Sequence, residues 1–136
     1  MGWSGGAPLL SKARENVDLA IVLVNWKYAD GAANRLYYAL YHAGWAFLDR
    51  RGRAVPDHGG TRYYRHEHMS DCLEDEGFQW RLSLPEDWHI YWTQLKGLRV
   101  KADYFPDSVR LSELDDEVFA FVQEVVEAVQ GFERGL

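Results

Sequence analysis

Apolar residues recur every three or four positions through five separate blocks of this chain, and that period restricts its fold more than any other feature. A stripe with a repeat near 3.6 residues is buried by a helix, whereas a strand buries every second residue. Leu10, Ala13, Val17, Ala20, Ile21 and Val24 predict a first helix over about Leu9 to Tyr28. Asp30 is placed to cap a second helix that runs to about Arg50, with Gly52 as its stop. Leu36, Tyr37, Leu40, Tyr41, Ala43, Phe47 and Leu48 make this second helix apolar almost all round, which predicts a central helix covered on several sides. After a Pro- and Gly-containing loop over 53–60, Tyr64, His68 and Cys72 suggest a thinner helix over Tyr63 to Glu76. Pro85 opens a fourth, with Trp88, Trp92, Leu95 and Ala102 along it and Pro106 closing it. Leu111-Ser112 is expected to cap a fifth, with Asp115 and Asp116 in its first turn and Val118, Phe121, Val122, Val125, Val126 and Val129 as its stripe. The expectation is an all-α antiparallel bundle of about five helices without a sheet.

The 136 residues suffice for one core but not two, so residues 9–136 are read as a single domain and residues 1–8 as a flexible leader. With 20 aromatic residues and only four Pro, the chain carries ample apolar surface for that core. Cys72 is the only cysteine, so no internal disulfide can form and a reducing cytoplasm is the expected setting. The longest apolar run near the start, Leu19 to Val24, is far shorter than the roughly 20 residues of a membrane span, so no membrane partner is expected. A net charge of −6 argues against gripping duplex DNA through overall electrostatics. The charge is uneven, however. Arg50 to His68 holds five Arg against Asp57 and Glu67, while Asp71 to Glu76 holds four acids, and the basic segment is a candidate anion-binding face.

One stretch of the second helix gathers groups suited to a phosphodiester. Arg35 and His42 are seven residues apart, which places them within about 20° on one helical face and about 10 Å apart along the axis. Asn34, Tyr38 and Tyr41 flank that strip with amide and hydroxyl groups. The competing reading is structural: an Arg paired with a buried acid, a His tied to a carbonyl, and tyrosines that simply fill a core. His58, His66, His68, Asp71 and Cys72 make up a list of metal ligands, but His66 and His68 would point about 160° apart on a helix, so no metal site and no cofactor is expected. Gly5-Gly6 and Gly59-Gly60 match no phosphate-loop spacing, and no Ser or Cys nucleophile has a base beside it.

Taken together, Asp30-Gly-Ala-Ala-Asn-Arg-Leu-Tyr-Tyr-Ala-Leu-Tyr-His42, His58-Gly-Gly-Thr61 and Leu98-Arg-Val-Lys-Ala-Asp-Tyr104 resemble, in order, the motifs of the HEPN (higher eukaryotes and prokaryotes nucleotide-binding) domain family, in its small prokaryotic stand-alone branch. The resemblance covers about Leu9 to Phe132. It implies a helical bundle that is usually a homodimer and is often encoded beside a minimal nucleotidyltransferase as a toxin and antitoxin pair. Many relatives are metal-independent endoribonucleases whose site is an Arg and a His separated by four to six residues. Arg35 and His42 enclose six and are the implied catalytic pair, with Asn34 and Tyr38 as binders of RNA or nucleotide. Asp103 and Tyr104 match the third motif and are the remaining implied binding residues, with an ion pair between Asp103 and Arg99 one turn earlier as the structural alternative for Asp103. The chain departs from the ribonuclease pattern at Leu36, where a polar residue commonly follows the Arg. A non-catalytic subunit that binds nucleotide or its partner protein is therefore the alternative expectation.

Overall fold

The computed structural model describes residues 6–105 and 108–135. Residues 1–5 of the expected leader and the expected helix stop Pro106 lie outside them. Among the described residues six α-helices follow one another: α1 (Gly6–Asn25), α2 (Ala29–Arg50), α3 (His66–Asp75), α4 (Phe78–Arg81), α5 (Trp88–Tyr104) and α6 (Asp116–Glu133). Five were anticipated; the addition is the single turn α4, too short to carry a periodic stripe of its own. The first helix begins earlier than its apolar pattern, so residues 6–8 belong to α1 rather than to the leader.

α2 is the centre of the bundle and packs against α1, α3, α5 and α6. Its buried residues face every direction, from Leu36 and Leu40 to Tyr37, Phe47 and Leu48. Small residues let the neighbours come close. A Cβ on Gly44 would sit 3.1 Å from both Leu73 Cδ1 of α3 and Trp92 Cη2 of α5, so glycine sets the spacing of those three helices. Leu40, Leu36 and Phe47 are completely buried, and each such side chain contributes about 1.5–3 kcal/mol over leaving it in water.

Several local details differ from the sequence-based expectation. The N-cap of α2 is Tyr28, which makes no side-chain cap; Asp30 sits in the first turn and its carboxylate accepts the Val109 backbone N–H at 2.6 Å, tying the start of α2 to the chain that follows α5. α6 is capped by Asp115, whose carboxylate accepts from Val118 N, while Leu111–Glu113 forms a separate 3₁₀ turn. α3 starts three residues later than its pattern suggested. Its buried residues are Met69 and Leu73, while Tyr64 is buried ahead of the helix and His68 is exposed. The loop after α2 contains a two-stranded ribbon, β1 (Asp57–His58) and β2 (Thr61–Arg62), paired antiparallel. Gly59 and Gly60 both have positive φ, the geometry a two-residue hairpin turn needs, and the Asp57 carboxylate accepts from Gly60 N. Two residues per strand leave no alternation for a periodicity argument to detect.

Candidate functional site

α1 and α2 run side by side, and at their seam Asn16 of α1 joins the two residues singled out on α2. Asn16 is only 7% exposed. Its Oδ1 accepts from Arg35 Nη1 at 3.3 Å, while its Nδ2 donates to the Lys12 carbonyl at 3.0 Å and, through a long contact of 3.5 Å, meets His42 Nδ1. One buried carboxamide thus spans guanidinium and imidazole. The Arg35 contact orients that amide, because a guanidinium has only donors and requires the oxygen to face it. Arg35 itself is exposed, and no carboxylate lies within ion-pair distance of it among the described residues. The structural alternative, an Arg bound to a buried acid, does not describe it.

His42 is half-buried. Burial lowers its pKa from the usual value, Lys12 of α1 pushes the same way, and a hydrogen bond to the Tyr38 carbonyl opposes them. Its Nδ1 therefore has two possible partners, the Asn16 amide for an unprotonated nitrogen and the Tyr38 carbonyl for a protonated one. Nε2 makes no hydrogen bond among the described residues and is not fully buried. An imidazole with one nitrogen held by the protein and the other without a protein partner among the described residues is arranged for proton transfer.

The other expected site residues form a second group on the adjoining face. Asn34 Nδ2 donates to both carboxylate oxygens of Asp103 at 3.2 Å, and Asp103 also takes Arg99 Nη1 at 3.4 Å, one helical turn away in α5. Asn34, Arg35 and Asp103 line a groove of about 470 Å³ that continues over Leu19, Leu23 and Tyr28. Tyr104 is 71% exposed at the end of α5, and the Arg99 guanidinium carbon is 5.9 Å from its ring centroid. Tyr38 is half-buried and lies between the groups, its ring 6.1 Å from that of His42 and 5.9 Å from the Arg99 guanidinium. Tyr41 is buried, with its hydroxyl donating to the Tyr64 carbonyl, and it serves the core.

Three residues at this face were not anticipated in these roles. Asn16 left a signal, since it interrupts the stripe of Ala13, Val17 and Ala20 with a polar side chain at helical spacing. From the sequence, Arg99 is expected only as an ion-pair partner of Asp103. It is 8% exposed, stacks 5.4 Å from the Tyr37 ring, and keeps a buried Nε without a partner among the described residues. His66, weighed only as a metal ligand, packs on Tyr37, Tyr38 and Tyr41. Among the described residues no group of three or more His, Cys, Asp or Glu is placed to hold a metal ion. The basic run after α2 is partly neutralised by the acids of α3. Arg51 pairs with Glu76 at 3.3 Å, and Arg53 reaches both Glu76 and Asp75. Arg62 and Arg65 remain exposed, so the anion-binding face is smaller than the five arginines suggested.

A family model for the HEPN domain matches residues 8–132. No curated protein matches the chain. No helix among the described residues is long and apolar enough to cross a membrane.

Proposed function

The chain belongs to the HEPN domain family, and from that premise we propose that it is a metal-independent endoribonuclease of the toxin type acting through Arg35 and His42. The observation that carries the reading is the Asn16 amide, whose Oδ1 holds an exposed Arg35 guanidinium without a carboxylate partner among the described residues on the face of α2 that also carries the half-buried His42. The reaction is attack of a ribose 2′-hydroxyl on the adjacent phosphodiester. His42 moves a proton, and Arg35 stabilises the charge that builds on the phosphoryl oxygens. Tyr38 borders the position of the phosphate. Asn34, Asp103 and Tyr104 bound the groove where the chain of the RNA continues, and the exposed Arg62 and Arg65 add phosphate contacts. The functional unit in this reading is a homodimer, regulated by a minimal nucleotidyltransferase partner.

A second reading is favoured by Leu36. It replaces the polar residue common after the Arg, is completely buried in the core, and gives the site no third polar group. On that reading the same strip binds nucleotide or the partner protein without cleaving anything.

RNA cleavage in the presence of a chelator separates the two. His42→Ala should lower the rate by about 10²–10⁴-fold while leaving most RNA affinity, and Arg35→Ala should weaken both. Equal cleavage by folded wild type and folded His42→Ala would end the catalytic reading.

A further inference from the structure

We propose that His66 is the second proton-carrying group of this site, sharing Tyr38 and Tyr41 as ring neighbours with His42, so that one chain supplies both imidazoles for a single phosphodiester. The inference rests on the ribonuclease reading and adds a residue outside the Arg and His motif.

Geometry carries it. His66 is the first residue of α3 and its ring centroid is 4.7 Å from that of Tyr41 and 5.7 Å from that of Tyr38; His42 is 5.6 Å and 6.1 Å from the same two rings. Sharing Tyr41 as a neighbour keeps the two imidazole centroids within about 10 Å, while an in-line displacement with a hydrogen bond at each end spans about 9 Å between the outer nitrogens. Like His42, His66 has its Nδ1 held and its Nε2 open. Nδ1 lies 2.8 Å from the hydroxyl of the fully buried Tyr37, and Nε2 has no partner among the described residues and is not buried. The Tyr37 hydroxyl suits both states of the ring, donating to an unprotonated Nδ1 and accepting from a protonated one.

The surroundings suit an anion. Lys12 of α1 and Arg35 of α2 lie on the His42 side; Lys96 and Arg99 of α5 lie on the His66 side, opposed by Glu67 beside it in α3. Arg99 keeps a buried, unpartnered Nε near the Tyr38 ring. Burial, Arg99 and Lys96 lower the pKa of His66, which makes its protonated ring a readier proton donor.

The step balances within the substrate and the two rings. The 2′-oxygen bonds to phosphorus and the bond from phosphorus to the 5′-oxygen breaks. His42 Nε2 takes the 2′-hydroxyl proton, its Nδ1–H directed at the Tyr38 carbonyl, and protonated His66 gives its Nε2 proton to the departing 5′-oxygen. The products are a 2′,3′-cyclic phosphate and a 5′-hydroxyl.

The test combines histidine-labelled NMR of the full chain, titrated with a ribonucleoside 3′-monophosphate, with cleavage by His66→Gln. The ring signals of His42 and His66 should shift together along one saturation curve. His66→Gln should cleave at least about a hundredfold more slowly, lose the alkaline limb of its kcat/KM profile, and bind RNA within about threefold of wild type. A shift at His42 without one at His66, or full cleavage by His66→Gln, would overturn the proposal and leave the Arg35–His42 reading standing. No shift at either ring, or no cleavage by wild type, would overturn both. Tyr37→Phe, which only releases Nδ1, should give an intermediate loss and guards against a folding defect in His66→Gln.

Discussion

Replacing Asn16 tests whether the seam between α1 and α2 orients the site or merely fills space. Asn16→Ala removes one good hydrogen bond, to the Lys12 carbonyl at 3.0 Å, and two long ones, to Arg35 and His42. A neutral hydrogen bond is worth about 0.5–1.5 kcal/mol net, and long contacts fall at the low end. No buried orphan is left, because Arg35 is exposed to water and His42 Nδ1 can turn to the Tyr38 carbonyl. Alanine also recovers about 0.5 kcal/mol of helix propensity. The net loss should be about 1–2 kcal/mol, a fall in Tm of about 3–8 °C, which leaves the protein folded. The effect on chemistry should be larger. With the Arg35 guanidinium released from Asn16 Oδ1, misplacement of about 1 Å costs on the order of 10²-fold in kcat, while KM moves little because Asn16 touches no substrate. Asn16→Leu refills the seam and separates the two effects: its stability should recover toward wild type while its rate stays low. Thermal unfolding and RNA cleavage on the same preparations decide the matter. Folded Asn16→Ala or Asn16→Leu cleaving at the wild-type rate would refute the orienting role.

Acidification should destabilise the protein through His42 and His66. Burial lowers both folded-state pKa values below the unfolded value of about 6.5, so the unfolded chain binds more protons in that window and stability rises with pH across it. Urea unfolding between pH 5 and 7.5 should show that slope, shallower in His66→Gln; a slope unchanged by the substitution would contradict the burial argument for His66. At the centre of the bundle, Leu40→Ala should cost about 2–5 kcal/mol in the same assay, since Leu40 is fully buried on α2, and a change under about 0.5 kcal/mol would mean the side chain is not core.

Period alone determined the five longer helices and the central place of α2, because a stripe such as Val118, Phe121, Val122 and Val125 has one economical way to leave water. The spacing of Arg35 and His42 placed both on one face for the same reason, since seven residues are close to two turns. Capping was less legible. Asp30 has the chemistry of an N-cap, but a backbone N–H 79 residues away claimed its carboxylate, and only the packed structure brings Val109 to it. The pairing of Arg51 and Arg53 with Glu76 likewise depends on the loop folding α3 back beside the end of α2, which leaves a smaller basic patch than the sequence suggests. What the tertiary structure decided most completely is the company of the two site residues. Asn16 lies 19 residues before Arg35 and 26 before His42, and His66 lies 29 after Tyr37, so no local pattern connects them. Side chains on separate helices meet only where two apolar stripes pack in register, and the polar residue that interrupts one stripe is then held against whatever the other helix presents there.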